Sequence, residues 1–245
     1  MSDSIIIIPT YNEKENIERM IRTVLHLAKA FHILIVDDNS PDGTAEIVRK
    51  LIKKHPEQLF MIERKGKLGL GTAYLAGFRW ALDKKYQYIF EMDADFSHNP
   101  EDLIRLYQAC AEDGADLAIG SRYISGINVI NWPLKRVLMS YMASKYVRMV
   151  TGLEIMDTTA GFKCYRSKVL DRIDLGRIKM KGYGFQIEMK FKTWRLGFKI
   201  VEVPIIFTDR KEGASKMSGG IFGEAFKGVI KMKIGSYFTN PGKKI

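Results

Sequence analysis

The chain has 245 residues, of which 46% are hydrophobic and 27% charged, so it can bury a core as one large domain or a domain with an appendage. Its net charge of +11 is uneven: residues 1–120 carry 15 basic and 19 acidic side chains, whereas residues 121–245 carry 24 and 9. This composition excludes a repeat or low-complexity protein, and the basic second half predicts an anionic partner.

Signals for secretion, disulfide bonding or membrane crossing are not found in the sequence. The N-terminus lacks a basic segment followed by an apolar core and a cleavage site, so no secretory signal is expected. No uncharged stretch approaches the roughly 20 residues that span a bilayer as a helix. The two cysteines, Cys110 and Cys164, are unclustered in the sequence, which predicts a reducing compartment.

Short apolar runs alternate with helical patterns through residue 120. The runs are nearly continuous, as in strands covered on both faces, and lie at 5–9, 33–36, 59–62, 88–92 and 117–120. Helical spacing of apolar residues predicts helices at 13–30, 44–54, 71–84 and 100–113. This alternation predicts an α/β fold with a mostly parallel central sheet flanked by helices and joined by right-handed crossovers.

Polar clusters follow the first, second and fourth of these strands, at residues 10–13, 37–44 and 93–95. The carboxyl ends of parallel strands meet along one edge of a sheet, where ligands bind, so the three clusters are expected to share a cleft. Asp93 and Asp95 are two residues apart and would point the same way in a strand. Their carboxylates can converge on Mg²⁺ or Mn²⁺, although such pairs also cap helices and turns.

The pattern changes beyond residue 120. A loop at 124–131 precedes a helix that extends to about residue 150, and residues 154–168 are predicted to be irregular and polar. A further helix is expected around 186–196. The β-branched segment 201–207 contains Pro204, which is typical of an edge strand.

The C-terminal tail predicts a basic amphipathic helix. Apolar residues recur at helical spacing from 221 to 237, and Lys227, Lys231 and Lys233 add positive charge. Such a helix packs one face on the domain or lies at an anionic membrane surface, and both can hold at once. We therefore divide the chain into an α/β domain, 1–210, and a C-terminal loop with an amphipathic tail, 211–245.

Taken together, the motifs resemble the dolichol-phosphate (polyprenyl-phosphate) mannosyltransferases, which are inverting family 2 glycosyltransferases with a GT-A fold. The resemblance is carried in order by residues 9–13, 36–44, 67–74, 93–98, 120–123, 132–140, 159–163 and 209–216. Several ordered motifs across most of the chain are far more specific than one Asp-x-Asp. The resemblance implies transfer of mannose from GDP-mannose to a polyprenyl phosphate, at the cytoplasmic face of a membrane.

The resemblance also implies roles for individual residues. Residues that correspond to the donor site are Pro9, Tyr11, Glu13, Val36, Asp38, Asp93, Ala94, Asp95, Arg122, Arg210 and Lys216. The implied metal ligands are Asp93, Asp95 and Ser97, and the implied acceptor-phosphate residues are Arg122, Arg136 and Ser140. Asp93, Asp95 and Arg122 are the residues expected to act in catalysis. Lys216 lies in a loop of small residues, 213–220, that could close over the donor.

A lipid phosphate acceptor explains why no general base stands out. Such a phosphate is already ionised at pH 7, whereas an alcohol acceptor would need a group to remove its proton. The chemical obstacle is repulsion between an anionic acceptor and an anionic donor, and a divalent cation with basic side chains would offset it. His98 follows the acidic motif and is interpreted as a loop residue.

Three points stay open at the level of sequence. The donor could be another nucleotide sugar such as UDP-glucose, because guanine and uracil both offer N–H groups to Glu13 or Asp38. A basic nucleic-acid-binding protein is a different class, but no helix-turn-helix, RNP or KH signature is present, so no nucleic acid partner is expected. Some members of the resembled family depend on a separate membrane-anchoring protein, which would be a further partner.

Overall fold

A computed structural model of the chain describes residues 2–180, 182–209 and 220–239. The strands are β1 (Ser4–Thr10), β2 (His32–Asp37), β3 (Leu59–Glu63), β4 (Tyr88–Glu91), β5 (Leu117–Ser121), β6 (Val129–Ile130), β7 (Lys163–Arg166), β8 (Ile200–Pro204) and β9 (Phe207–Thr208). The α-helices are α1 (Ile17–Leu25), α2 (Thr44–Ile52), α3 (Leu70–Asp83), α4 (Asp102–Ala111), α5 (Leu134–Thr151), α6 (Ser167–Arg172), α7 (Gly182–Arg195) and α8 (Gly220–Ser236).

A seven-stranded sheet in the order β3-β2-β1-β4-β7-β5-β8 forms the centre of the fold. Strands β3, β2, β1 and β4 are mutually parallel, and β8 pairs parallel with β5 at the sheet edge. In β1, Ile5 and Ile7 belong to the core on one face, whereas Ile6 and Ile8 belong to the core on the other. The predicted mostly parallel sheet, buried on both faces, is confirmed.

Strand β7 is the main departure from the predicted topology. The sequence predicts an irregular segment at 154–168, but residues 163–166 form an antiparallel strand between β4 and β5. Lys163 lies beside Glu91 on β4, and this buried ion pair lets a charged side chain enter the sheet layer. Because β7 runs in the opposite direction, the turn that precedes it lies at the carboxyl edge of β4 and β5.

Several element boundaries differ from the predicted ones. The first helix begins at Ile17 because residues 13–16 form a turn in which the N–H of Asn16 donates to the carbonyl of Glu13, and it ends at Leu25, before the predicted end at residue 30. The fourth helix begins at Asp102, after the turn that contains Pro100. The edge strand around Pro204 is confirmed as β8, which ends at that proline; Phe207 belongs instead to the small sheet formed by β6 and β9.

The two cysteines are separate in sequence but adjacent in space. Cys110 on α4 and Cys164 on β7 are both buried and free. The Cys110 thiol donates to the Cys164 carbonyl oxygen over 3.4 Å. Both cysteines lie in the same buried core cluster, so residues that are unclustered in the sequence are neighbours in the folded chain.

Helix α8 packs against α5 and α7, so the described part of the tail contacts the rest of the fold. The Tyr146 and Phe226 rings stack with their centroids 3.9 Å apart.

The predicted domain boundary between residues 210 and 211 stays a prediction, because it falls among residues 210–219, outside the described ranges. Across those ranges, no helix has both the length and the apolar character needed to span a bilayer.

Candidate active site

A polar cleft lies at the carboxyl edge of the sheet. Its volume is about 330 Å³, and it is bounded by residues that follow β1, β2 and β4, together with residues of β5 and the turn before β7. The predicted site residues among those lining it are Pro9, Tyr11, Glu13, Asp38, Asp93, Ala94, Asp95, Arg122 and Arg136. Predicted motifs that are far apart in the chain, from Pro9 to Arg136, therefore meet in one space.

Asp93 and Asp95 lie in the turn that follows β4. The strand ends at Glu91, so strand alternation does not orient the two carboxylates, and that part of the sequence argument is wrong. The turn contains Phe96 at a φ of 59°, a left-handed conformation that is uncommon for a residue with a side chain. Asp95 accepts a hydrogen bond from the Ser97 N–H at 3.1 Å, and Asp93 accepts one from the Tyr74 hydroxyl at 3.4 Å.

The environment of Tyr74 keeps its hydroxyl protonated. Burial, and next the negative charge of Asp93, raise the pKa of Tyr74 well above its ordinary value. Tyr74 therefore stays a hydrogen-bond donor to Asp93.

Two consecutive aspartates after β2 have different surroundings. Asp37 accepts hydrogen bonds from the hydroxyls of Thr10 and Ser40, both at 2.7 Å, and so stabilises the turn after β2. Asp38 lines the cleft, but its carboxylate also accepts from Arg64 Nε at 2.5 Å and from the Leu68 N–H at 3.1 Å. It therefore anchors the segment before α3, and Arg64 is a partner that sequence reasoning missed.

The loops after β1 and β2 are bonded to each other. The Asn12 N–H donates to the Ser40 hydroxyl at 3.0 Å, and the Glu13 N–H donates to the Thr44 hydroxyl at 3.1 Å. Lys67 Nζ lies 4.6 Å from the centre of the Tyr11 ring, which brings a third segment to this end of the cleft. This end therefore combines an aromatic ring, a carboxylate and a cation.

Arg122 is paired with a carboxylate that the sequence did not assign. Its Nε and Nη2 each lie 2.7 Å from one oxygen of Asp157, and Nη2 also donates to the Thr159 hydroxyl at 2.8 Å. Both residues of the pair are buried. Burial alone would raise the pKa of Asp157, but the Arg122 guanidinium outweighs burial and lowers it.

Trp132 and Asp209 position Arg136, which is near the start of α5. The Arg136 guanidinium lies 4.1 Å from the centre of the Trp132 ring, and its Nη1 donates to Asp209 at 2.8 Å. Ser140 is four residues further along the same helix. Cation–π and ion-pair contacts both hold the guanidinium at the edge of the cleft.

A second, largely apolar groove of about 920 Å³ opens beside the polar cleft. Its wall includes Met139, Met142 and Tyr146 of α5 and Phe226 and Val229 of α8. The residues common to the groove and the cleft are Arg122, Trp132, Arg136, Thr159 and Tyr183. Arg122 and Arg136 therefore lie where the polar cleft meets the apolar groove.

His98 is a buried residue at the base of the cleft. Its ring stacks on Phe162 with centroids 4.8 Å apart and meets Phe207 edge-on at 5.3 Å. Burial lowers the pKa of His98 to about 4, so the imidazole is neutral at pH 7. Its place in the loop between β4 and α4 agrees with its interpretation as a loop residue.

Not every predicted site residue faces the cleft. The Val36 side chain lies in the apolar core, and Ser97 is buried, where its N–H caps Asp95. Ser140 lines the apolar groove. Arg210 and Lys216, with the predicted lid, lie outside the described residues.

The donor set around Asp93 and Asp95 suits a hard divalent cation. Within residues 2–180, 182–209 and 220–239, no three His, Cys, Asp or Glu side chains form a metal-binding group. Two carboxylates facing one cleft nevertheless match Mg²⁺ or Mn²⁺, which commonly take one or two protein carboxylates and complete their shells with water and substrate phosphates. The residues present therefore fit such an ion.

Comparison with known proteins gives three kinds of match. The family model of glycosyl transferase family 2 matches residues 5–174. The chain is 49% identical over 231 residues to a polyprenol monophosphomannose synthase of Mycolicibacterium smegmatis, covering 94% of this chain and 87% of that protein. It is 47% identical over 225 residues to an undecaprenyl-phosphate mannosyltransferase of Micrococcus luteus, covering 92% and 91%.

Solved structures with the same fold include glucosyl-3-phosphoglycerate synthase from Mycobacterium tuberculosis. Its complex with Mn²⁺, UDP and glucosyl-3-phosphoglycerate has a TM-score of 0.66 at 17% identity, covering 95% of this chain and 79% of that one. Its complex with phosphoglyceric acid has a TM-score of 0.70 at 16% identity, covering 94% and 80%. The expected GT-A type of fold is confirmed.

Proposed function

Because this chain belongs to glycosyl transferase family 2, we propose that it transfers mannose from GDP-mannose to a polyprenyl phosphate, with inversion at the anomeric carbon. It is an enzyme of the polyprenyl-phosphate mannosyltransferase type. The observation that carries the proposal is the junction of a polar cleft and an apolar groove at Arg122 and Arg136. A reaction between a nucleotide sugar and a lipid phosphate needs such a junction.

The polar cleft is assigned to the nucleotide sugar. Tyr11 offers a ring for the base or ribose, and Glu13 offers a carboxylate for N–H or hydroxyl groups. Mannose is supported by the names of two relatives at 47% and 49% identity. Guanine is supported by the resemblance of the motifs, whereas a more distant structural neighbour was crystallised with UDP, so a UDP-sugar is the competing donor.

We assign Asp93 and Asp95 to a divalent cation, Mg²⁺ or Mn²⁺. The two carboxylates face the cleft, and a structural neighbour was crystallised with Mn²⁺. When bound, the cation would neutralise part of the diphosphate charge and so favour departure of the nucleotide. Tyr74, which donates to Asp93, would help to hold that carboxylate in place.

The acceptor phosphate is assigned to the junction, beside Arg122, Arg136 and Ser140. Among the described residues, Arg122 uses Nε and Nη2 on Asp157 and Thr159, which leaves Nη1 for a phosphate oxygen. Arg136 supplies a second planar guanidinium that can contact phosphate bidentately. A phosphate oxygen attacks the anomeric carbon without a general base, because the acceptor is ionised at pH 7.

The apolar groove is assigned to the polyprenyl chain, and the surface around it to a membrane. The exposed side of α5 carries Leu134, 72% accessible, and Met149, 79% accessible. Tyr237 and Phe238, just after α8, are also exposed. Basic residues lie near these apolar side chains, as in interfacial helices that dock on anionic lipid. We place the protein peripherally on the cytoplasmic face of a membrane, with or without a separate anchoring protein.

The test is a transfer assay with one sugar nucleotide at a time. Purified protein receives GDP-mannose, UDP-glucose or UDP-galactose with a polyprenyl phosphate, and sugar in the organic phase is measured. We expect transfer from GDP-mannose, and NMR of the product should show the anomeric configuration opposite to that of the donor. Transfer from a UDP-sugar alone would overturn the donor assignment. A matched assay with polyprenyl alcohol controls for the acceptor and should give no product.

A further inference from the structure

Lys190 is a buried lysine that the proposed reaction does not use directly. It lies in α7 with 0% exposure. Its Nζ donates to the carbonyl oxygens of Ala160 at 2.6 Å and Thr158 at 3.1 Å. In the described part of the chain, no carboxylate lies within ion-pair distance of Nζ. Burial of a cation costs several kcal/mol, and here it also lowers the pKa of Lys190.

The two carbonyls closest to Lys190 Nζ, those of Ala160 and Thr158, belong to the turn at residues 156–160, before β7, and a third, longer contact at 3.5 Å goes to the Gln186 carbonyl of the same helix. The same turn is held from the other side by Glu202 of β8, whose carboxylate accepts from the N–H groups of Met156 at 2.7 Å and Asp157 at 2.8 Å. The Lys190 amine therefore donates to the carbonyls of the turn, and the Glu202 carboxylate accepts from its amides. These two sets of hydrogen bonds hold the turn between α7 and the sheet edge.

This turn carries the two side chains that bind Arg122. Asp157 forms the bidentate pair, and the Thr159 hydroxyl accepts a third hydrogen bond from the same guanidinium. Any displacement of the turn would therefore move Arg122, which lines both the cleft and the groove. Lys190 itself lines neither cavity, and its hydrogen bonds to the turn connect it to Arg122 at the junction.

We propose that Lys190 is a positioning residue, which, together with Glu202, holds the 156–160 turn so that Arg122 points into the junction of the two cavities. The effect on catalysis rests on the proposed function, whereas the effect on the turn does not. Misplacement of a reacting group by about 1 Å costs roughly 100-fold in rate, so loosening the turn should reduce turnover strongly.

The first experiment uses no substrate. Amide hydrogen exchange is compared in wild type, Lys190→Met and Lys192→Met, the last a lysine two positions along the same helix that bonds the Arg177 carbonyl instead. In Lys190→Met we expect exchange at residues 156–161 to accelerate roughly 10-fold or more relative to β2, and no such change in Lys192→Met. Unchanged exchange in the turn would overturn the proposal. If Lys190→Met does not fold, Glu202→Gln tests the same turn.

The second experiment asks whether Lys190 acts through the turn. In the transfer assay, Lys190→Met and Thr159→Val should each lower kcat, and the double variant should lose little more than the worse single variant, because both act on Arg122. Lys192→Met combined with Thr159→Val should show only the Thr159→Val loss. The proposal would be overturned if the fold-losses in kcat of Lys190→Met and Thr159→Val multiplied in the double variant. Failure of the wild type to transfer would count against the proposed function, and the exchange result would still decide the role of Lys190.

Discussion

Arg122 and Asp157, 35 positions apart in the chain, form a buried bidentate ion pair in which Nε and Nη2 each lie 2.7 Å from one carboxylate oxygen. The pair joins the end of β5 to the turn before β7, and its arginine lines both cavities. Removal of one partner would leave an uncompensated charge in a buried site.

We expect Asp157→Asn to lower the free energy of unfolding by roughly 3–5 kcal/mol at pH 7. The folded-state pKa of Asp157 is lowered, so its contribution is present above the unfolded-state pKa, near 3.8, and is lost as pH falls through the folded value. The difference between wild type and variant should stay constant from pH 7 to about pH 4.5. Urea unfolding at several pH values measures it, and a difference that vanishes by pH 6 would contradict this assignment.

The role assigned to Asp95 predicts dependence on a divalent cation. A chelator should abolish transfer, and Mg²⁺ or Mn²⁺ should restore it. Asp95→Asn should lower the rate by roughly 100-fold or more, because metal-ion catalysis supplies several kcal/mol, and should raise the metal concentration needed. Asp102→Asn is the matched control, since Asp102 pairs with Arg105 on α4. Full turnover in the chelator would refute the metal role.

Arg136→Ala should separate acceptor use from donor binding. Loss of a charged hydrogen-bond donor to phosphate costs about 1.5–3 kcal/mol, so the acceptor KM should rise by roughly 10–100-fold while the donor KM changes little. Arg148→Ala, on the same helix, is the control. Initial rates with each substrate varied in turn measure both constants, and an equal loss of donor and acceptor affinity would be incompatible with the assignment of Arg136.

Membrane binding should depend on the exposed apolar face of α5. Each buried apolar side chain contributes about 1.5–3 kcal/mol, so Leu138→Ser with Met149→Ser should weaken partitioning to anionic vesicles at least 10-fold. Added salt should weaken binding further through the basic residues. Leu68→Ser, a comparably exposed residue near the start of α3, serves as the control in vesicle sedimentation. If all variants bound the vesicles equally well, a surface other than the exposed face of α5 would be the one that contacts the membrane.

Close packing between α3 and β1 makes Gly77 intolerant of a side chain. A Cβ there would lie 2.6 Å from Ile7 Cγ2 in the core. Gly77→Ala should therefore cost about 1–3 kcal/mol of stability by overpacking. Gly235→Ala in α8, where no atom of the described residues outside the helix's own backbone lies within 4 Å of the added carbon, should be neutral or stabilising by up to about 1 kcal/mol. Thermal unfolding measures the melting temperature of each variant, and equal changes in melting temperature for Gly77→Ala and Gly235→Ala would argue against the packing explanation.

Local patterns in the sequence were enough to predict the scaffold. The apolar run Ile5–Ile8 predicts a buried strand without any knowledge of its neighbours, and the strand is buried. The alternation of strands and helices predicts a mostly parallel sheet, as observed. The position of Asp93 and Asp95 after an apolar run also placed them at the carboxyl edge. These features depend on residues that are close together in the chain.

Partners from distant segments were decided only by the tertiary structure. Residues 163–166 offered too short and too polar a pattern to predict β7, whose place in the sheet depends on the buried pair of Lys163 and Glu91. The sequence indicated Arg122 and Asp38 as ligand-binding residues, but packing brings Asp157 to the first and Arg64 to the second. The periodicity of apolar residues in the sequence indicates which face of a helix or strand is buried. The ion-pair partner of a charged side chain depends instead on the order of the strands in the sheet, which brings distant segments together.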